Sequence, residues 1–122
     1  MNARFSAEGG NEGVRQARRW IWQRISAMVL ALCALAHLAL LMYAVRGGLS
    51  AAEILARTQG NWAFAVFYAV FVLACAVHVA PGLANVAREW AGLSARAARR
   101  AADAFALLLL LLGLRAVYAV VA

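Results

Sequence analysis

The chain contains two histidines, His37 and His78, and each falls inside a long run of apolar residues. An ionisable ring in such a run is costly in lipid and by default marks a functional site. Imidazole nitrogen is a common axial ligand to haem iron, and two helices that each offer one ring can hold a haem edge-on between them. The plainer role for such a histidine is an interhelical hydrogen bond. Depth bears on the choice: His37 is thirteen residues beyond Arg24, and His78 is eleven before Glu89. At about 1.5 Å per residue, both rings then lie roughly 16 to 20 Å in from those charges. On this count they could face one iron, which makes His37 a candidate second ligand beside His78.

Propionates on a haem need cationic partners near the membrane surface, which Arg24 or Arg19 could supply if they are not simply topology charges. Cys33 and Cys75 lack the Cys-x-x-Cys spacing of redox or zinc sites and read as packing residues. Arg115, deep in the last apolar run, is read as snorkelling towards the nearer surface, with pairing to a carboxylate or lipid head group as the alternative.

The elements that must position these residues follow from composition. Of 122 residues, 66% are hydrophobic and 14% charged, outside the usual soluble range. Three runs, 25–45, 62–83 and 104–122, are each long enough to cross the roughly 30 Å hydrocarbon layer as a helix. Pro81 lies near one end of the second and could kink its last turn. The expected fold is therefore all-α, a bundle of three transmembrane helices spanning residues 18–122. Residues 1–17 have no apolar periodicity and are expected to form a flexible cytoplasmic tail. Ser50 and Glu53 make a capping-box pattern, so 51–57 is expected to be a short interfacial helix.

All twelve basic residues are arginines. Those at 4, 15, 18, 19 and 24 precede the first span and those at 88, 96, 99 and 100 separate the second from the third, against Arg46 and Arg57 in the other loop. This asymmetry predicts a cytoplasmic amino terminus and a carboxyl terminus outside. Charges placed at the ends of apolar runs also argue against nucleic-acid binding, which needs them on one solvated face. Trp20, Trp22, Trp62, Trp90, Tyr43 and Tyr118 fall near span ends, where amphipathic rings favour the headgroup level.

Two segments carry a resemblance. Trp22-Gln23-Arg24-Ile25-Ser26-Ala27, followed by an apolar helix, resembles the Arg-x-Ser/Thr-Gly/Ala opening of the small cytochrome b membrane-anchor subunits of succinate dehydrogenase and fumarate reductase. The run from His78 through Gly82 to Glu89 and Trp90 is similar to that family's His-x-x-x-Gly segment with a later Asp-Tyr pair. The resemblance covers about residues 20–122 and agrees in length, span number and orientation.

Position by position, it implies that His78 is the axial ligand to haem b and that Gly82 lets a neighbouring helix or the macrocycle approach. It makes Arg24 a propionate or quinone-pocket residue, with Ser26, on the same opening turn of the first span, a further quinone-binding residue. Glu89 and Trp90 fall where the family has its quinone-site acid and tyrosine. The sequence departs there, because an indole N–H can donate to a quinone carbonyl but cannot reproduce a phenol's proton chemistry. Trp90 is then either a quinone contact or an interfacial anchor. His37 inherits no role from the motif, since the family often draws one histidine from each of two anchor subunits.

The implied function is a non-catalytic anchor that ligates haem b, walls the quinone pocket and docks the iron-sulfur and flavoprotein subunits. Three helices are too few to enclose a macrocycle, so a second anchor subunit or another copy of this chain is expected beside it. The alternative is a haemless structural or assembly membrane protein. A di-haem cytochrome b would usually need four intramembrane histidines, and two are present.

Overall fold

In lipid the backbone finds no water, so an apolar segment must satisfy its own N–H and C=O groups, and a helix does this within one segment. The computed structural model describes the backbone of residues 2–122 and the side chains from residue 9 onward. Among the described residues it forms four helices and no strand. They are α1 (Asn2–Gly47), α2 (Ala51–Thr58), α3 (Trp62–Trp90) and α4 (Ala95–Val121). The first, third and fourth are long and apolar enough to cross a membrane. The chain is thus a multi-pass, all-α membrane protein.

Each long helix overruns its apolar span. Hydropathy reports the thickness of the lipid, whereas a helix stops only where capping or backbone geometry stops it. α1 runs back through 2–17, the segment read from sequence as a tail, because adding residues to a formed helix is far easier than nucleating one. α3 continues past Pro81 to Trp90, and a left-handed Gly92 (φ 64°) lies just beyond its end. α4 is capped by Ser94, whose hydroxyl accepts from the Ala97 N–H at 3.2 Å, almost three turns before the expected start of its apolar span.

α3 lies between α1 and α4 and packs most extensively on α4. The seam there is made of small residues: Ala98, Ala102 and Ala106 recur every four residues along α4 and are buried. Such a stripe lets backbones approach closely, which is how helices associate where lipid removes the hydrophobic driving force. Further along, Gly113 completes it. A Cβ at Gly113 would stand 2.5 Å from Val72 Cγ1 and 2.9 Å from Cγ2. Val72 is β-branched and has little rotamer freedom in a helix to yield. We expect Gly113→Ala to weaken the α3–α4 association by about 1–3 kcal/mol, read as a lower melting temperature in detergent. An unchanged or higher value would show that α3 can move aside.

The opposite end is tied by polar contacts. The Ser50 capping box is present, with the Ser50 N–H donating to Glu53 Oε2 at 2.9 Å and the Glu53 N–H to Ser50 Oγ at 3.3 Å. The Ser50 hydroxyl also donates to Glu53 Oε2 at 2.7 Å, and these two donors hold the Glu53 carboxyl below the usual range. Gly48 (φ 105°) occupies a left-handed position directly against the Glu53 carboxylate, where no side chain would fit. The Arg57 guanidinium donates to the Gly48 carbonyl, while Thr58 Oγ1 donates to Val120 O at 2.7 Å and the Gly60 N–H to Val121 O at 2.8 Å. α2 thereby caps the end of α4, filling carbonyl valences that a helix terminus leaves open.

Candidate functional site

α1 and α3 are antiparallel, and two side-chain contacts fix their register. Ser26 Oγ meets His78 Nδ1 at 3.2 Å, and His37 Nδ1 meets Tyr68 Oη at 2.8 Å. α1 thus places the hydroxyl two residues beyond Arg24 on the histidine of α3. Ser26 is buried at 4% exposure, His78 is half-buried and Arg24 is exposed. The Arg24 guanidinium carbon sits 4.5 Å from the centroid of the Trp20 ring, a cation–π contact that holds the charge beside the opening turn.

Beside this junction, α1, α3 and α4 converge on a cleft of 610 Å³. Arg18, Arg19, Arg88 and Arg99 line it, against Asp103 as its acid, together with Trp20, Trp22, Gln23 and Pro81. Four cations and two indoles around an apolar floor suit an amphipathic ligand with an anionic or carbonyl-bearing head. Gln23 Oε1 is buried and has no hydrogen-bond partner among the described residues. An orphan acceptor of this kind is costly when dry and matches a ligand O–H or N–H. Gln23 stands inside the Arg24 motif, but sequence alone gave no reason to single it out. Its burial and its missing partner are features of the packing.

The register also separates residues that sequence counting brought together. Along α1, His37 is eleven residues from Ser26, and along α3 Tyr68 is ten from His78. The two histidines are therefore offset by roughly 15 Å along the bundle axis. Metal–imidazole bonds of about 2 Å require the two ligating rings to converge, so this packing does not carry His37 and His78 to one iron. Arg24, thirteen residues before His37, and Glu89, eleven beyond His78, lie at different levels of the bundle. His37 instead donates or accepts a hydrogen bond with Tyr68 and packs edge-on to Tyr68 and Phe71, with ring centroids 5.7 Å away in both cases. That is the interhelical role its sequence left open.

Glu89 and Trp90 are likewise apart from the junction, at the far end of α3, about 17 Å along the axis from His78. Both are exposed, Trp90 at 85%. Glu89 and Leu93 line a smaller adjoining hollow that shares Asn85, Arg88 and Ala95 with the cleft. Gly82 lies one turn from His78 and faces α1, where a Cβ would be 3.7 Å from Gln23 Nε2, an ordinary contact. Close approach of α1 does not require glycine there.

His78 fits an axial ligand by the chemistry of its two nitrogens. Nδ1 is engaged by Ser26, and Nε2 has no hydrogen-bond partner among the described residues. Metal-bound histidines commonly show this division, one ring nitrogen on the metal and the other anchored in the protein. Comparison of the chain with family models, with curated proteins and with solved structures returns no match.

Proposed function

We propose that this chain is a membrane-anchor cytochrome b subunit of a succinate:quinone oxidoreductase, with His78 as its axial ligand to haem b. The observation that supports this reading most is the Ser26–His78 contact, which joins residues 52 apart in sequence. Those residues belong to the two segments that carry the family resemblance, and nothing in a generic three-helix protein requires them to meet. Haem b, when bound, supplies one-electron storage between the iron-sulfur subunit and quinone.

The chain's own residues have distinct tasks in this reading. His78 offers Nε2, Arg18, Arg19 and Arg24 offer charge to propionates or to a quinone head, and Gln23 offers an acceptor at the cleft. Quinone then belongs to the arginine-bearing cleft beside Ser26 rather than to Glu89 and Trp90, which serve as the solvent-side end of α3. The arginine-rich end is cytoplasmic and faces the iron-sulfur and flavoprotein subunits across an inner membrane. His37 stays with Tyr68, so a second anchor subunit or another copy of this chain provides the opposite ligand.

Purification of the tagged chain from native membranes tests this directly. The expected product contains a flavoprotein and an iron-sulfur subunit and gives a reduced-minus-oxidised b-type spectrum. A chain that purifies with neither haem nor flavin is the structural or assembly protein of the alternative reading.

A further inference from the structure

Ser26 carries a single hydroxyl proton, and the shorter of its two polar contacts assigns that proton to a backbone carbonyl. Ser26 Oγ donates to the Gln23 backbone carbonyl at 2.9 Å, the back-bond to the preceding turn that serines make within helices. A carbonyl can only accept, so the proton is committed there. The contact from Ser26 Oγ to His78 Nδ1 at 3.2 Å must then run the other way, with the ring N–H donating to the oxygen lone pair. From this chain of donors we infer that Ser26 is the positioning residue that holds His78 in the Nδ1–H tautomer, leaving the Nε2 lone pair free.

The inference rests on the haem reading for its consequence, though not for its geometry. A neutral histidine carries one ring proton, and its tautomer is set by the hydrogen bond that the other nitrogen makes. Burial strengthens the constraint, because Ser26 is 4% exposed and little water can compete for Nδ1. Donation from Nδ1 makes Nε2 a more basic ligand, which favours ferric over ferrous iron. Ser26 thus acts through His78 and needs no contact with quinone.

Two measurements test it on the purified complex and the full-length chain. In the complex, Ser26→Ala should keep a low-spin haem but lower the preference for ferric iron about tenfold, a rise in midpoint potential of about 59 mV for one electron. Ser26→Thr, which keeps the hydroxyl, should restore the native potential. In the haem-free chain, nitrogen-15 NMR of His78 should report Nδ1–H, and Ser26→Ala should shift the ring towards Nε2–H. An unchanged potential in Ser26→Ala, or equal shifts in the Ala and Thr variants, would overturn the assignment. If Ser26→Ala fails to retain haem, the NMR of the haem-free variant decides, and persistence of Nδ1–H there also overturns it. Absence of haem from the wild-type complex would sink the cytochrome reading while leaving the tautomer measurement intact.

Discussion

His78→Ala should abolish the low-spin b-type signal of the complex. The ring offers Nε2, which has no hydrogen-bond partner among the described residues, beside a cleft lined by four arginines, and an alanine has no atom that could replace it at iron. Removing the side chain also takes the ring donor from Ser26 Oγ, whose own bond to the Gln23 carbonyl remains, so α1 loses one contact rather than its local structure. Loss of a single neutral hydrogen bond is worth about 0.5–1.5 kcal/mol, too little to unfold the bundle. The variant chain should therefore still insert and accumulate. His37→Leu is the control, because it removes a comparable interhelical bond, to Tyr68, at a level roughly 15 Å away. That complex should keep its low-spin spectrum with a slightly lower melting temperature. High-spin or absent haem in His37→Leu, with an unaltered spectrum in His78→Ala, would exchange the roles given to the two histidines.

The contrast between these histidines shows what the sequence can and cannot specify. That three spans exist is visible because lipid thickness imposes a length on each apolar run. The Ser50–Glu53 capping box is visible because its partners are three residues apart. Axial register between two long apolar helices has no comparable signal. Along the apolar spans of α1 and α3, 25–45 and 62–83, almost every residue is apolar, so sliding one past the other by a turn or two exchanges one aliphatic contact for another. The few polar side chains, Ser26, His37, Tyr68 and His78, fix the offset once they meet.

Charges mislead in the same way. Glu89 reads as a charge at the membrane surface, but α3 carries it beyond the level of Arg24, and the Ser26–His78 and His37–Tyr68 contacts reveal the difference. His78 accordingly lies nearer the arginine-bearing end than counting back from Glu89 suggests. The α4 seam was hidden for a related reason. Ala98 and Ala102 stand in an arginine-rich stretch outside the expected span, Ala106 lies just inside its start, and Gly113 is one small residue in a run of leucines.

Arg24→Ala should lower succinate–quinone activity roughly ten- to a hundredfold while the chain still inserts and retains haem. A charge-assisted hydrogen bond contributes about 1.5–3 kcal/mol, and each 1.36 kcal/mol is about tenfold in rate. Arg24 is well placed to make one, because stacking on Trp20 at 4.5 Å restrains its guanidinium at the opening turn that also carries Gln23 and Ser26. Insertion should survive because eight other arginines lie in the segments flanking the same end of the bundle, at 4, 15, 18, 19, 88, 96, 99 and 100. Arg24→Lys separates charge from shape: an ammonium keeps the charge but has neither the planar fork nor the stacking surface. Partial recovery in Lys points to a propionate or headgroup partner that needs only charge, and no recovery points to a planar acceptor such as a quinone carbonyl. The assay compares reduction of quinone with reduction of a soluble dye that accepts electrons before the membrane subunits, and only the first should fall. Poor insertion with normal activity in the surviving complexes would instead make Arg24 a topology charge.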